Sequence, residues 1–414
     1  MSRGHRFGRR RGSPKLPAVK ALLLENIHPD GINLLTDAGV EVETRSHALA
    51  EDDLIAALPG FDMLGIRSRT NVTPRVLASA PDLKAVGAFC IGTNQIALPE
   101  ATAHGVAVFN APYSNTRSVV EMALGNIIAL ARHVTDHNAA MHEGRWNKSA
   151  KGSHEVRGRT LGIVGYGNIG SQLSVVAESF GMHVYFYDVI DRLALGNAKR
   201  VSSLEELLDV SETISVHVDG RPSNTGLFGA AEFARMRPRS LFLNLSRGPV
   251  ADIDALKAAL DSGHIAGAAL DVYPTEPKSN GDPFLSPLRG TPNVILTPHI
   301  GGSTQEAQEN IGHFVADKLL SYMNTGATVL SVNMPQVQVE SADRRRIVSI
   351  HRNVPGVLAK INTLLADLGV NIEGQTLATR GEIGYVVLDV DTDAPDEVIA
   401  TLRAMPESIR VDVH

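Results

Sequence analysis

The chain has 414 residues, of which 43% are hydrophobic, with a formal net charge of −6 and a single cysteine. That length predicts two or three domains with sizeable cores, and the charge argues against a nucleic-acid surface on the folded part. One cysteine, Cys90, excludes an internal disulfide framework and fits a reducing, cytoplasmic compartment, and no apolar run is long enough to span a bilayer.

Residues 1–17 carry Arg3, Arg6, Arg9, Arg10, Arg11 and Lys15 and no acid. No apolar stretch follows them, so they are not a secretory signal; a disordered basic tail or an over-extended start is expected ahead of an arginine-rich transit peptide. From Val19 the chain alternates strand-like runs (19–24, 40–42, 62–66, 84–89) with helix-like segments (28–37, 51–58, 73–80). Thr73 caps the last of these helices, with Pro74 at its first position. Such alternation predicts a parallel α/β sheet. Arg67, Ser68 and Arg69 follow the third run; on their own they read equally well as a solvated loop. A long apolar-periodic helix is expected over 117–142.

Next comes the most specific signal. The apolar run 160–164 leads into GYGNIG at 165–170, a helix-like segment follows, and a second apolar run, 184–187, ends on Asp188. Strand, G-x-G-x-x-G, helix, strand, acid is the dinucleotide-binding pattern in full context. Gly165 permits the tight turn, Gly167 lets the backbone approach a pyrophosphate, and Gly170 lets the helix pack on the sheet. The helix N-terminus offers N–H groups to the phosphates. Asp188 suits ribose hydroxyls and would repel a 2′-phosphate, which favours NAD over NADP.

Further strands are expected at 213–216, 240–244, 266–270 and 294–296, with a helix at 252–262. Three polar residues lie just beyond the ends of these strands: Arg247, Glu276 and His299. Ligands gather at that edge of open α/β sheets. Singly, Arg247 could cap a helix, Glu276 could be a surface charge, and His299 a satisfied core histidine. Together, at the edge of a sheet that holds NAD, they suit hydride chemistry. A histidine removes the hydroxyl proton, a carboxylate raises its pKa and orients it, and an arginine holds a substrate carboxylate.

The dinucleotide domain (114–299) is thus expected inside a second α/β domain made of 18–113 and 300–330. A linker is expected over 331–345, its end marked by the glycine-free stretch 340–346. Residues 346–414 then read as β-α-β-β-α-β, the ferredoxin-like order, with strands at 347–350, 370–372, 384–390 and 408–413.

From residue 19 to the end, the chain resembles the D-isomer-specific 2-hydroxyacid dehydrogenases, and within them the members that act on 3-phospho-D-glycerate. The resemblance rests on FCIGTNQI (89–96), NAPYSNTRSVVE (110–121), the stretch 145–170, LSRGPV (245–250), LDVYPTEP (270–277), LTPHIGGSTQEAQENIG (296–312) and HRNVPGVL (351–358). It implies a Rossmann-type domain inserted in a flavodoxin-like substrate domain, with a C-terminal domain resembling the ACT module. It implies that His299 is the proton acceptor, Glu276 its partner, and Arg247 the ligand of the substrate carboxylate. Asn168, Ile169 and Asp188 would hold the adenosine half of NAD. His217, Leu245, Ser246, Asp271 and the turn through Gly301 and Gly302 would line the nicotinamide half. Arg67, Ser68, Arg69 and Lys148 would take a phosphate, with Lys148 on an arm that reaches a neighbouring subunit. His351, Asn353 and Asn371 would bind L-serine as a feedback effector; as residues alone, both asparagines could be turn formers. A homo-oligomer, expected as a tetramer, follows from the same resemblance, as does a possible side activity on 2-oxoglutarate. No metal site is expected. The open alternatives are another D-2-hydroxyacid dehydrogenase, such as a glyoxylate or hydroxypyruvate reductase, and a binding protein that senses NAD.

Overall fold

The computed structural model describes residues 19–277, 281–339, 345–391 and 395–414. The basic N-terminal segment and the junction at 340–344 lie outside these. The chain divides into two compact units, one of residues up to 114 together with 308–414, the other of residues 115–307.

In the first unit, β1 (Lys20–Leu23), β2 (Glu41–Thr44), β3 (Met63–Ile66), β4 (Ala85–Ala88) and β5 (Ala107–Asn110) form a parallel sheet in the order β2-β1-β3-β4-β5, the flavodoxin-like order. Its central strands are short, apolar and fully buried, as strands covered on both faces must be. The segment expected to start a linker is packed against this sheet over 331–337. Val332 N–H donates to Val108 O at 2.8 Å, and the buried Asn333 accepts from Val108 N–H and donates to Val106 O. Buried amide pairing, rather than composition, sets its conformation.

The second unit holds β6 (Thr160–Val164), β7 (His183–Tyr187), β8 (Lys199–Arg200), β9 (Thr213–Val216), β10 (Ser240–Asn244), β11 (Ile265–Leu270) and β12 (Val294–Leu296). Their order, β12-β11-β10-β9-β6-β7-β8, is the Rossmann order extended by one strand. The single helix expected over 117–142 is two, Thr116–Ala131 and Val134–His142. His133 breaks it in a left-handed conformation (φ 50°), and the second piece has no buried residue.

The first unit also contains a four-stranded antiparallel sheet of β13 (Arg345–Arg352), β14 (Ile372–Arg380), β15 (Ile383–Val390) and β16 (Ser408–Val413), ordered β14-β15-β13-β16. The strand expected at 370–372 begins at Ile372 and is much longer, because β14 follows β15 across a tight turn along its whole length. One face of this sheet (Ile347, Val386, Leu388) packs on the helices Val357–Asp367 and Asp396–Ala404. The other (Val348, Ile350, Tyr385, Val387) joins the same core as β1, β5 and the helix Gln305–Thr325.

Candidate active site

The glycine loop after β6 shows three separate steric demands. Gly165 has φ 89°, and a Cβ there would lie 2.6 Å from His217 O. A Cβ at Gly170 would lie 2.2 Å from Gly165 O, so the helix Asn168–Ser179 sits too close to its loop for any side chain. At Gly167 a Cβ meets nothing within 4 Å; the backbone faces open space. Between the glycines, Tyr166 stacks on Phe186 and its hydroxyl contacts Ser174 Oγ at 2.6 Å, which anchors the loop in the core. Asp188, at the end of β7, accepts from Tyr166 N–H at 2.8 Å and from Ile190 N–H at 2.9 Å. The acid therefore holds the loop, and each of its oxygens keeps a lone pair for another donor.

Beyond β9, β10, β11 and β12 lie the residues that could carry chemistry. His217 Nε2 meets Ser215 Oγ at 2.9 Å, whereas its Nδ1 is buried without a partner. Burial lowers its pKa to about 4, so it is neutral at physiological pH. Asn244, at the end of β10, folds the next turn with its side chain. Its Oδ1 accepts from the Ser246 N–H and hydroxyl, and its Nδ2 donates to Arg247 O. Gly248 follows, where a Cβ would fall 1.9 Å from the Tyr273 carbonyl. The Arg247 loop is thereby pressed against the loop that carries Glu276.

His299 stands in a left-handed turn (φ 54°), a conformation that costs a β-carbon residue about 1–2 kcal/mol. The buried Asp271 holds that turn, accepting from Thr297 Oγ1 (2.6 Å), Ile300 N–H (2.9 Å) and Gly301 N–H (2.7 Å). Gly302 is packed on Asn115, where a Cβ would lie 2.2 Å from Nδ2. So fixed, His299 Nδ1 lies 2.9 Å from Glu276 Oε2, and Glu276 Oε1 accepts from Tyr273 N–H. The hydrogen bond with Glu276 raises the His299 pKa against the opposing effect of partial burial. Partial burial pushes Glu276 up, but the hydrogen bond and charge of His299 outweigh it and leave the carboxyl lower than usual. Arg247 is close enough to act electrostatically on both. With Nδ1 turned to the carboxylate, Nε2 is the open end of a half-exposed ring. Three residues singled out from sequence thus converge; Asn244 and the turn-holding role of Asp271 were missed. A strand-terminal asparagine two residues before a serine was the available signal for the first.

The remaining predicted residues are carried by other elements. Lys148 is exposed in the loop after Val134–His142. Arg67, Ser68 and Arg69 belong to the first unit, where the Arg67 guanidinium donates to Gln308 at 2.7 Å. In the C-terminal sheet, His351 is buried against Gly384 with Nε2 unpartnered, and Asn353 Nδ2 donates to Gly381 O. Asn371 precedes the far end of β14. His351 pairs with Gly384 and Gly384 with Thr379, so eight residues, about 26 Å of strand, separate Asn371 from that level. A single chain does not bring the three together.

The dinucleotide region fits NAD on its own geometry: open backbone at Gly167 beside a helix N-terminus, an acid behind it, and an unpartnered buried nitrogen at His217. Among the described residues no group of three or more His, Cys, Asp or Glu could hold a metal, and no helix is long and apolar enough to cross a membrane.

Residues 124–301 match the family described as D-isomer specific 2-hydroxyacid dehydrogenase, NAD binding domain, and residues 347–410 match the AHAS small subunit-like ACT domain. The D-3-phosphoglycerate dehydrogenase of Escherichia coli (strain K12) is 49% identical over 395 residues, covering 95% of this chain and 96% of that one. That of Haemophilus influenzae is 49% identical over 397 residues, covering 95% and 97%. Among solved structures, a D-lactate dehydrogenase from Sporolactobacillus sp. aligns with a TM-score of 0.66 at 29% identity, covering 76% of this chain and 99% of that one.

Proposed function

The chain belongs to the D-isomer specific 2-hydroxyacid dehydrogenases, and from that premise we propose that it oxidises 3-phospho-D-glycerate to 3-phosphohydroxypyruvate with NAD, the first step of L-serine biosynthesis. The observation that carries this reading is the 2.9 Å contact of His299 Nδ1 with Glu276 beside Arg247. NAD, when bound, supplies the acceptor for the C2 hydride. His299 Nε2 takes the proton of the C2 hydroxyl, and Glu276 stabilises the imidazolium that results. Arg247 holds the substrate carboxylate and polarises the forming carbonyl. Arg67, Ser68, Arg69 and Lys148 take the phosphate; the second carboxylate of 2-oxoglutarate can occupy the same cationic place, and reduction of 2-oxoglutarate is expected as a side activity. The single cysteine suits a reducing cytoplasm.

Purified protein with NAD and 3-phosphoglycerate is expected to generate NADH; none at any pH would sink the reading. Replacing Arg67 or Arg69 with alanine is expected to raise the KM for 3-phosphoglycerate far more than for an unphosphorylated hydroxy acid. Equal effects would remove the phosphate assignment.

Feedback by L-serine is proposed at a site shared by two chains, His351 and Asn353 of one and Asn371 of another. The 26 Å separation within one chain, about eight strand residues, supports the sharing. Asn353→Ala or Asn371→Ala is expected to relieve the inhibition, and full inhibition in both variants would count against the site. A homo-oligomer, proposed as a tetramer, is supported by the apolar side chains Val134, Met141 and Trp146, exposed on the second unit.

A further inference from the structure

We propose that Glu25 is the positioning residue for the phosphate-binding arginines, acting by clamping the loop Arg67–Thr70; the proposal rests on the assignment of the phosphate to Arg67 and Arg69. Glu25 follows β1 and is 8% exposed. Its carboxylate accepts from three of the four successive backbone N–H groups of that loop. Oε1 takes Thr70 N–H at 2.8 Å and Arg67 N–H at 3.2 Å, and Oε2 takes Arg69 N–H at 3.0 Å. The carbonyl of Arg67 is held from the other side by Gln95 Nε2 at 2.7 Å. To reach the loop, Glu25 adopts φ 65° and Asn26 follows at 52°, two successive left-handed residues that are not glycine. Such strain persists where surrounding contacts over-determine it, and it concentrates at functional sites.

The chemistry of the clamp is specific. Converging backbone N–H groups form a ready anion nest, and here that nest is filled by the protein's own carboxylate. An external phosphate therefore cannot use these three amides and relies on side chains, the two guanidinium groups above all. The clamp fixes the backbone from which Arg67 and Arg69 project, and the Arg67 guanidinium is further oriented by Gln308. Bidentate recognition by arginine tolerates little misplacement. Glutamine at position 25 keeps the size but turns an amide N–H₂ toward a backbone N–H, and aspartate keeps the charge on a stem one carbon shorter.

The test compares NADH-dependent reduction of 3-phosphohydroxypyruvate with that of hydroxypyruvate, two substrates that differ by the phosphate alone. Glu25→Gln is expected to raise the KM for the phosphorylated substrate by about tenfold, the scale of a buried hydrogen-bond loss. The KM for hydroxypyruvate and kcat should hardly move, and Glu25→Asp should restore part of the affinity. Arg67→Ala and Arg69→Ala run in parallel. If they shift the ratio of the two KM values and Glu25→Gln does not, the role of Glu25 is overturned while the phosphate assignment stands. If Glu25→Gln raises both KM values equally, its role is general folding and the proposal is again wrong. If the arginine variants leave the ratio unchanged, the phosphate assignment fails and the proposal goes with it. Should Glu25→Gln fail to fold by circular dichroism, Glu25→Asp decides, and an unchanged ratio there overturns the idea.

Discussion

At the scale of single residues, the proposed chemistry depends on one hydrogen bond between His299 and Glu276. That bond raises the histidine pKa and lowers that of the carboxylate. In the proposed oxidation the base must be neutral, so activity is expected to rise with pH through the His299 titration. Glu276→Gln removes the charge that favours the imidazolium, so the rising limb of kcat/KM against pH is expected to move to lower pH, with a lower plateau because the transition state loses the same stabilisation. A limb that stays in place would show that Glu276 does not tune His299. His299→Gln should lower kcat by about 10²–10⁴-fold, the ordinary worth of a positioned base, with little change in NAD affinity measured by fluorescence titration. Arg247, Glu276 and His299 were legible in the chain because each lies in the loop that follows a strand end. Glu25 was not, since nothing in its sequence neighbourhood reveals that amides more than forty positions away converge on its carboxylate.

At the scale of elements, the glycines separate folding from binding. A Cβ at Gly248 would overlap the Tyr273 carbonyl, and one at Gly170 the Gly165 carbonyl, both backbone atoms that cannot step aside. Gly248→Ala or Gly170→Ala is expected to destabilise the second unit by about 2–3 kcal/mol or more, read as a lower denaturation midpoint. Gly167→Ala has open space around it, so its denaturation midpoint should hardly change while the KM for NAD rises. Comparable losses of stability in all three would refute the division of roles. Periodicity located most of the helices and strands, and it failed in physically understandable places. The run 117–142 is continuous in sequence, but the pattern does not show the left-handed turn at His133. Likewise, segment 331–337 is turn-rich in composition, yet its conformation follows from Asn333 and Ser331 bonding to the backbone of β5.

At the scale of the first unit, the C-terminal sheet is not a loosely tethered module. Its second face shares a core with the flavodoxin-like sheet. The edges of this joint are tied by polar contacts. Tyr385 Oη donates to Gly326 O at 2.7 Å, Arg410 donates to Leu83 O at 2.5 Å, and Arg380 donates to Val332 O at 2.6 Å. Arg346 is buried in an ion pair with Asp389 and also donates to Thr325 O. Removing one partner of a buried pair strands the other, so Arg346→Ala is expected to cost about 3–5 kcal/mol, measured by denaturant unfolding. Because the C-terminal sheet is joined to the arginine-bearing domain by a packed face, Tyr385→Phe, which loses only the bond to Gly326, is expected to weaken the proposed inhibition by serine while kcat without serine is retained. Unchanged inhibition would mean that the signal does not cross this joint.

The linear chain by itself determined the α/β class, the NAD-binding loop, the three polar residues beyond the strand ends, and the β-α-β-β-α-β order of the last domain. These are properties of local spacing: strand and helix periods, glycine where backbone must turn or approach, and polar residues at predictable ends. The tertiary structure decided what depends on atoms distant in sequence. It set the turn held by Asp271 behind His299, the clamp of Glu25 on the arginine loop, and the burial of both faces of the C-terminal sheet. Convergence of hydrogen bonds and the sharing of a core are matters of three-dimensional proximity, and no one-dimensional pattern encodes them.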